Sequence, residues 1–232
     1  MVLTVHHLQV SQSERVVWLC EELGLQYELK NYPRSPLLAP EDYKALHPIG
    51  SAPVIQDGDV KIAESGACVE YIINVHGNGK FALKPTDKDY AEYLYWLHFV
   101  NGSLQPSIGR GMTLQFAGVD TSGESAKRFV GKIYQELAFV DKRLGETGAW
   151  LAGSQFSAAD IMIMFTLSTM RKFYSMDLSE YKNILAYFQR VTEREGYQRA
   201  MKKGDPEIDV QSITQGPSPP LFDALLKMQG GK

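Results

Sequence analysis

The chain is poor in the residues that build metal sites and disulfide frameworks. Only two of its 232 residues are cysteines, Cys20 and Cys68, and each falls on the apolar face of a helix-like segment. Such cysteines are typical of reduced core positions rather than of a disulfide bond. The sequence contains no CxxC, no HExxH and no cluster of Cys and His, so we expect no metal cofactor.

Basic charge and long apolar runs are also scarce. The formal net charge is −3 and the pI is about 6.0, which disfavours nucleic-acid binding through the phosphate backbone. The longest apolar run, near residues 161–167, is too short to cross a membrane. The sequence starts directly with a strand-like stretch and shows no signal-peptide pattern. We therefore predict a soluble cytoplasmic protein that binds neither nucleic acid nor membrane.

The first predicted turn, residues 8–15, separates a buried strand from an amphipathic helix. Gly24 then stands where a helix commonly ends with a left-handed residue. Ser11 and Ser13 precede the helix N-terminus, where backbone N–H groups and the helix dipole favour an anion. A serine in this place is more commonly a helix cap, so the local pattern leaves both interpretations open.

The next elements complete a small α/β unit. Residues 26–30 alternate polar and apolar side chains, which predicts a strand parallel to the first one. Pro53 is expected at the first residue of a strand, because proline cannot donate a hydrogen bond to a sheet ladder. Asp57-Gly58 predicts a hairpin turn, and Ser65 is placed as the N-cap of the following helix.

The rest of the chain is predicted to be almost entirely helical. We divide the chain into an N-terminal domain (1–78), a linker rich in turn residues (79–89) and a helical domain with a C-terminal tail (90–232). Ser157 and Asp160 are spaced as a capping box. The helix after them is apolar on nearly every side, which predicts the buried axis of the second domain.

This order of elements resembles that of the cytosolic glutathione transferases, and most of all their serine-type bacterial and fungal members. The resemblance covers nearly the whole chain and is carried by three stretches: LTVHHLQVSQSERVVWLCEELGL, HPIGSAPVIQDGDVKIAESGACVEYI and FSAADIMI. It implies an α/β thioredoxin-like N-terminal domain followed by an all-α C-terminal domain that holds an electrophile pocket.

The resemblance also implies that glutathione is the co-substrate, and it indicates which residues bind it. Ala52, before a cis proline, would offer its backbone to the cysteinyl unit of glutathione. Glu64 and Ser65 would hold the ammonium and the carboxylate of the γ-glutamyl end, and Lys44 matches a contact to the glycyl carboxylate. Ser51 stands where many relatives carry lysine or glutamine. The implied binding residues are thus Lys44, Ser51, Ala52, Pro53, Glu64 and Ser65.

For catalysis, Ser11 and Arg15 match the Ser-x-x-x-Arg spacing of serine-type members. A free thiol has a pKa of about 8.5, and lowering it by about two units needs roughly 2.7 kcal/mol of preferential thiolate stabilisation. One charge-assisted hydrogen bond contributes roughly 1.5–3 kcal/mol. A serine would therefore suffice as a hydrogen-bond donor, and it need not be a nucleophile. Ser13 remains the alternative donor.

The implied activity is conjugation of glutathione to hydrophobic electrophiles, a detoxification chemistry, with reduction of hydroperoxides as a second, peroxidase activity. The segment that includes Met112 and Phe116 matches the family's cleft wall, with Arg110 as its charge. The resemblance further implies a homodimer and a contact from Asn101 to glutathione across the dimer. The alternative hypotheses are a non-catalytic regulatory or ligand-carrier protein, and a glutathione lyase or dehalogenase. We expect one of His6 and His7 to point inward and to be structural.

Overall fold

The computed structural model describes residues 2–120 and 122–229. Its sheet has four strands: β1 (Leu3–Leu8), β2 (Tyr27–Tyr32), β3 (Val54–Asp57) and β4 (Val60–Ala63). The strand order is β2-β1-β3-β4, with β1 parallel to β2 and the other two pairs antiparallel. The predicted parallel pair and the predicted hairpin are both confirmed, and Gly58 takes a positive φ of 60° in the hairpin turn.

The remaining structure is helical. A π-helical turn at Val100–Leu104 joins the fourth helix to the fifth, and a 3-10 turn at Thr169–Lys172 follows the seventh. In chain order the helices are α1 (Glu14–Leu23), α2 (Glu41–Lys44), α3 (Ser65–Val75), α4 (Tyr90–Phe99), α5 (Gln105–Phe116), α6 (Glu124–Thr147), α7 (Ala158–Leu167), α8 (Lys182–Thr192), α9 (Glu195–Gly204), α10 (Val210–Ile213) and α11 (Asp223–Gln229).

Helix α1 lies between the sheet and the helical part of the molecule. It contacts β1 and α3 on one side and α7 and α9 on the other, so every residue from Glu14 to Glu21 is buried. The helix ends at Gly24, whose φ of 67° confirms the predicted left-handed residue. Polar side chains in the first turn of α1 therefore face partners from both parts of the chain.

Helix α7 is the buried axis that its sequence predicts, because all ten of its residues are buried. Ser157 and Asp160 form the expected capping box, in which the Ser157 N–H donates to Asp160 Oδ2 at 2.9 Å. Cys20 and Cys68 are buried free thiols, as predicted. In the ranges that the structure describes, no helix combines the length and apolarity needed to span a membrane.

The predicted cap role of Ser65 is wrong, and the cap interpretation left open for Ser13 holds for its position but not for its side chain. Ser65 is the first residue of α3 rather than its cap, and Glu64 precedes it with a positive φ of 71°. Ser13 precedes α1, but its side chain makes no capping hydrogen bond. In both places the hydroxyl binds other side chains instead, which brings these serines into the polar network described next.

Candidate functional site

A cavity of about 400 Å³ opens between the turn that joins β1 to α1 (residues 9–13), the loop before β3, and helices α5 and α7. Met112 and Phe116 line it, as predicted, whereas Arg110 is exposed and donates to Ser107 Oγ at 3.0 Å. The predicted role of Arg110 in the pocket is therefore wrong. The lining consists of Leu8, Ser11, Gln12, Arg34, Leu37, Leu38, Ala39, Gly50, Ser51, Ala52, Gln105, Met112, Phe116, Phe165, Met170 and Phe173.

The two candidate serines lie at different depths. Ser11 lines the cavity, whereas Ser13 is fully buried behind it. Their Oγ atoms are 2.8 Å apart, and Ser11 Oγ also accepts the Ser13 N–H at 3.2 Å. In this structure the Ser11 hydroxyl donates to the Leu8 carbonyl at 2.7 Å. Ser11 is thus the hydroxyl of this pair that a bound thiol could reach.

A buried His–Asp pair stands behind the serines. His7 Nδ1 is 2.7 Å from Ser13 Oγ, and His7 Nε2 is 3.0 Å from Asp205 Oδ2. The other carboxylate oxygen of Asp205 accepts the Val10 N–H at 2.7 Å. The prediction that only one of the two histidines points inward is wrong, because His6 is also buried and its Nδ1 contacts the Tyr32 hydroxyl at 3.0 Å.

The side chain of Arg15, a residue of α1, is fully buried between α3, the π turn and α7. Burial lowers the pKa of its guanidinium to about 9. Within the described part of the chain, all of its hydrogen-bond partners are neutral side chains: Gln12, Ser65, Asn101, Gln105 and Thr166. A buried cation held only by neutral groups makes this corner of the site attractive to an anion.

The Ser65 hydroxyl is oriented by the same network. Its oxygen accepts from Arg15 Nη1 at 2.9 Å and from Asn101 Nδ2 at 3.1 Å. A hydroxyl has two lone pairs and one proton, so these contacts leave the Ser65 O–H to donate. Ser65 and the N-terminus of α3 together present donors suited to a carboxylate.

Of the predicted glutathione-binding residues, Lys44, Pro53, Glu64 and Ser65 are not among those that line the cavity. Ser51 and Ala52 line it, and the Ala52 carbonyl accepts from Gln12 Nε2 at 2.9 Å. The Ala52–Pro53 peptide bond is cis, as the resemblance implies. Glu64 is exposed at the start of α3. Lys44 stands outside the lining and pairs with Glu41 at 2.7 Å.

Sequence reasoning missed two residues of this region. Asp205 is 198 positions away from His7, and no local pattern links the two. Arg34 lines the cavity and donates to the Val10 and Leu37 carbonyls, but it comes from an irregular loop that offered no signal. In residues 2–120 and 122–229, no group of three or more His, Cys, Asp or Glu side chains is arranged to hold a metal ion.

Comparison with known proteins identifies the family. Residues 1–74 match the model of the glutathione S-transferase N-terminal domain, and residues 102–195 match that of the C-terminal domain. Glutathione S-transferase 3 of Schizosaccharomyces pombe is 30% identical, over 94% of this chain and 97% of that protein. The chain therefore belongs to the glutathione S-transferase family, and it is a glutathione transferase.

Solved structures agree with the fold. The crystal structure of a glutathione S-transferase from Actinobacillus pleuropneumoniae superposes with a TM-score of 0.82 at 31% identity, covering 90% of this chain and 96% of that one. A glutathione transferase from Phanerochaete chrysosporium, solved with oxidized glutathione, shares the fold at a TM-score of 0.68 and 21% identity, covering 87% and 94%. The thioredoxin-like domain and the all-α domain implied by the sequence are confirmed.

Proposed function

We propose that this transferase ionises the glutathione thiol with the Ser11 hydroxyl and joins the sulfur to hydrophobic electrophiles in the cavity. The observation that carries this proposal is the placement of Ser11, on the cavity wall beside the N-terminus of α1. A donor there would act together with the helix dipole on a thiolate. Ser13 lies too deep to touch a thiol in the cavity, which favours Ser11 over Ser13.

Glutathione would bind along the edge of the cavity that carries the donors. Its γ-glutamyl carboxylate would accept from the Ser65 hydroxyl, with the buried charge of Arg15 2.9 Å behind that oxygen. Its ammonium would meet Glu64, and its cysteinyl backbone would pair with Ala52. The glycyl end would then lie toward Ser51 and Lys44, where Lys44 would have to leave its exposed pair with Glu41, at little cost.

The second substrate would occupy the apolar wall of the cavity. Side chains of α5, α7 and the turn after α7 supply this wall: Met112, Phe116, Phe165, Met170 and Phe173. These flexible and aromatic groups suit an apolar electrophile. A hydroperoxide with an apolar tail fits the same wall, and the same thiolate would attack its terminal oxygen, so we propose peroxidase activity as a secondary reaction.

We also propose that the protein is a cytoplasmic homodimer. Exposed aromatic side chains on α4 and α6 support association, since Tyr95 and Phe139 are each about half exposed and pack edge to face with centroids 6.1 Å apart. The two buried free thiols fit a reducing compartment. Sedimentation equilibrium of the purified protein measures its mass, and a monomer at micromolar concentration would exclude the dimer.

Calorimetry and a conjugation assay test the proposed activity. We expect the protein to bind glutathione and to conjugate it to an activated aryl halide. Glutathione methylated at sulfur should bind while yielding no product, because the contacts proposed for its backbone do not involve the thiol. If the wild-type protein gives no heat with either peptide, the proposed glutathione site is wrong.

A further inference from the structure

Four buried side chains form a continuous hydrogen-bonded chain that ends at the cavity. Ser11 Oγ is 2.8 Å from Ser13 Oγ, which is 2.7 Å from His7 Nδ1, and His7 Nε2 is 3.0 Å from Asp205 Oδ2. Of these four, only Ser11 lines the cavity. The chain therefore connects the proposed thiol-binding hydroxyl to a carboxylate at the end of α9.

The direction of the chain follows from what each group can donate. An ionised carboxylate can only accept, so in a neutral His7 ring the proton lies on Nε2, facing Asp205, and the lone pair lies on Nδ1, facing Ser13. Ser13 then donates to Nδ1 and keeps a lone pair for Ser11, whose hydroxyl turns from the Leu8 carbonyl to the Ser13 oxygen 2.8 Å away when it passes a proton. Every link can thus pass a proton inward, from the cavity toward the imidazole.

We propose that His7, held by Asp205, is the acceptor for the proton of the glutathione thiol, a step that rests on the proposed function of Ser11. The thiol gives its proton to Ser11 Oγ, Ser11 gives its own to Ser13 Oγ, and Ser13 gives its own to His7 Nδ1. The products are a thiolate and an imidazolium. Ser11 now holds the former thiol proton and donates it to the thiolate. After product release the proton returns along the same chain to water in the cavity.

Asp205 serves this step in two ways, both visible in its contacts. One oxygen faces the ring that becomes charged, where a carboxylate stabilises an imidazolium. The other binds the N–H of Val10, whose φ of 55° is unusual for a β-branched residue. Asp205 thus holds the turn that presents Ser11, and it is a positioning residue as well as the counter-ion of His7.

Closely packed and charged groups surround the His7–Asp205 pair. Gly204 passes so close to the ring that a Cβ there would lie 3.0 Å from His7 Nε2. The titratable and charged groups that act on Asp205 are Glu14 of α1, Arg34 of the loop after β2 and Tyr197 of α9. None of these groups comes between Ser13 and His7, because Ser13 Oγ contacts His7 Nδ1 directly at 2.7 Å.

The substitution Asp205→Asn tests the proton route with little change in shape. The asparagine oxygen can still accept the Val10 N–H, but its amide must donate to His7 Nε2. The ring then carries its proton on Nδ1 and can no longer accept one from Ser13. We expect kcat for conjugation to fall roughly 100-fold, with the glutathione Kd nearly unchanged. The matched control is Asp209→Asn, on the exposed cap of α10.

Ser13→Ala cuts the same route without touching Asp205, so it carries the test if the asparagine variant fails to fold. The double variant should be no slower than the slower single one, because both changes remove one shared path. When several protons move together, kcat depends on the deuterium fraction of the solvent along a curve. We expect this curvature in the wild-type protein and a linear dependence in Ser13→Ala. A purely structural role would leave that curvature in place.

The outcomes separate this inference from the function it rests on. If wild-type protein neither binds glutathione nor conjugates it, the proposed function fails. If wild type conjugates normally and Asp205→Asn and Ser13→Ala keep its kcat, the proton route alone is refuted. The proton route would also be refuted if the variants changed only KM or only thermal stability. It would be refuted as well if the two kcat losses multiplied in the double variant.

Discussion

Replacing Ser11 by alanine removes the one hydroxyl that we propose as the donor to the glutathione thiolate. A hydrogen bond to a charged group contributes roughly 1.5–3 kcal/mol, which corresponds to about one to two pKa units for the bound thiol. Its pKa would then return to near the ordinary value of about 8.5. At neutral pH the ionised fraction of bound glutathione would fall to about a tenth or less of its wild-type value, and the conjugation rate would fall about tenfold or more.

The structure also sets the side effects of this change. Ser11 Oγ accepts the Ser13 N–H and donates to the Leu8 carbonyl, so alanine should cost about 1 kcal/mol of stability per lost bond. Thermal melting and calorimetric glutathione binding must therefore accompany the kinetics. Ser125→Ala, at an exposed position of α6, is the matched control and should leave the kinetics and glutathione binding unchanged.

The assay compares kcat for an aryl halide between pH 6 and 9. The deficit of Ser11→Ala should shrink as the pH rises, because an unassisted thiol ionises by itself above its ordinary pKa. A deficit that stays constant across this range would mean that Ser11 does not act on thiol ionisation. Wild-type kcat in Ser11→Ala would refute the role of Ser11 outright.

Three further predictions follow from single side chains. Ser65→Ala should raise the glutathione Kd by about tenfold in calorimetry, since it removes a donor to a carboxylate, and an unchanged Kd would move the γ-glutamyl site elsewhere. Burial raises the pKa of Glu14 from 4.5 to about 8, so the stability that its protonation contributes is fully present below about pH 4.5 and is lost as the pH rises through 8. Between pH 5 and pH 9 the wild-type protein should therefore lose up to about 4 kcal/mol of unfolding free energy that Glu14→Gln keeps, as measured by urea unfolding. The same pH dependence in both proteins would contradict the buried neutral acid. Ser157→Ala should lower the free energy of unfolding by about 1 kcal/mol or more. The control Ser125→Ala should lower it by about 0.5 kcal/mol or less. If Ser157→Ala loses no more stability than this control, the capping box adds little.

Local chemistry was enough to predict the elements that frame the site. Gly24 and the Ser157–Asp160 box each depend on a backbone requirement that few residues satisfy, and both are confirmed. The strand expected to begin at Pro53 begins one residue later, at Val54. The order of these signals along the chain also carries the family resemblance. Local patterns therefore predict the course of the chain through the first domain and the start of α7.

Local chemistry failed where a polar side chain had distant partners to choose from. Ser65 looks like a cap, but Arg15 and Asn101 bind its hydroxyl in the folded chain. Arg110 looks like a pocket charge, but its helix turns it to solvent. Asp205 has no signal at all, because only the packing of α9 on α1 brings it to His7. Such contacts are tertiary, and spacing along the sequence does not encode them.

The most direct test of the central claim is a titration of the glutathione thiol inside the complex. The ultraviolet absorbance of the thiolate, followed against pH with saturating glutathione, reports its pKa without any second substrate. We predict a value about two units below the free value of about 8.5 in the wild-type protein, and a value near 8.5 in Ser11→Ala. The same low pKa in both proteins, or an unshifted pKa in the wild type, would contradict the account.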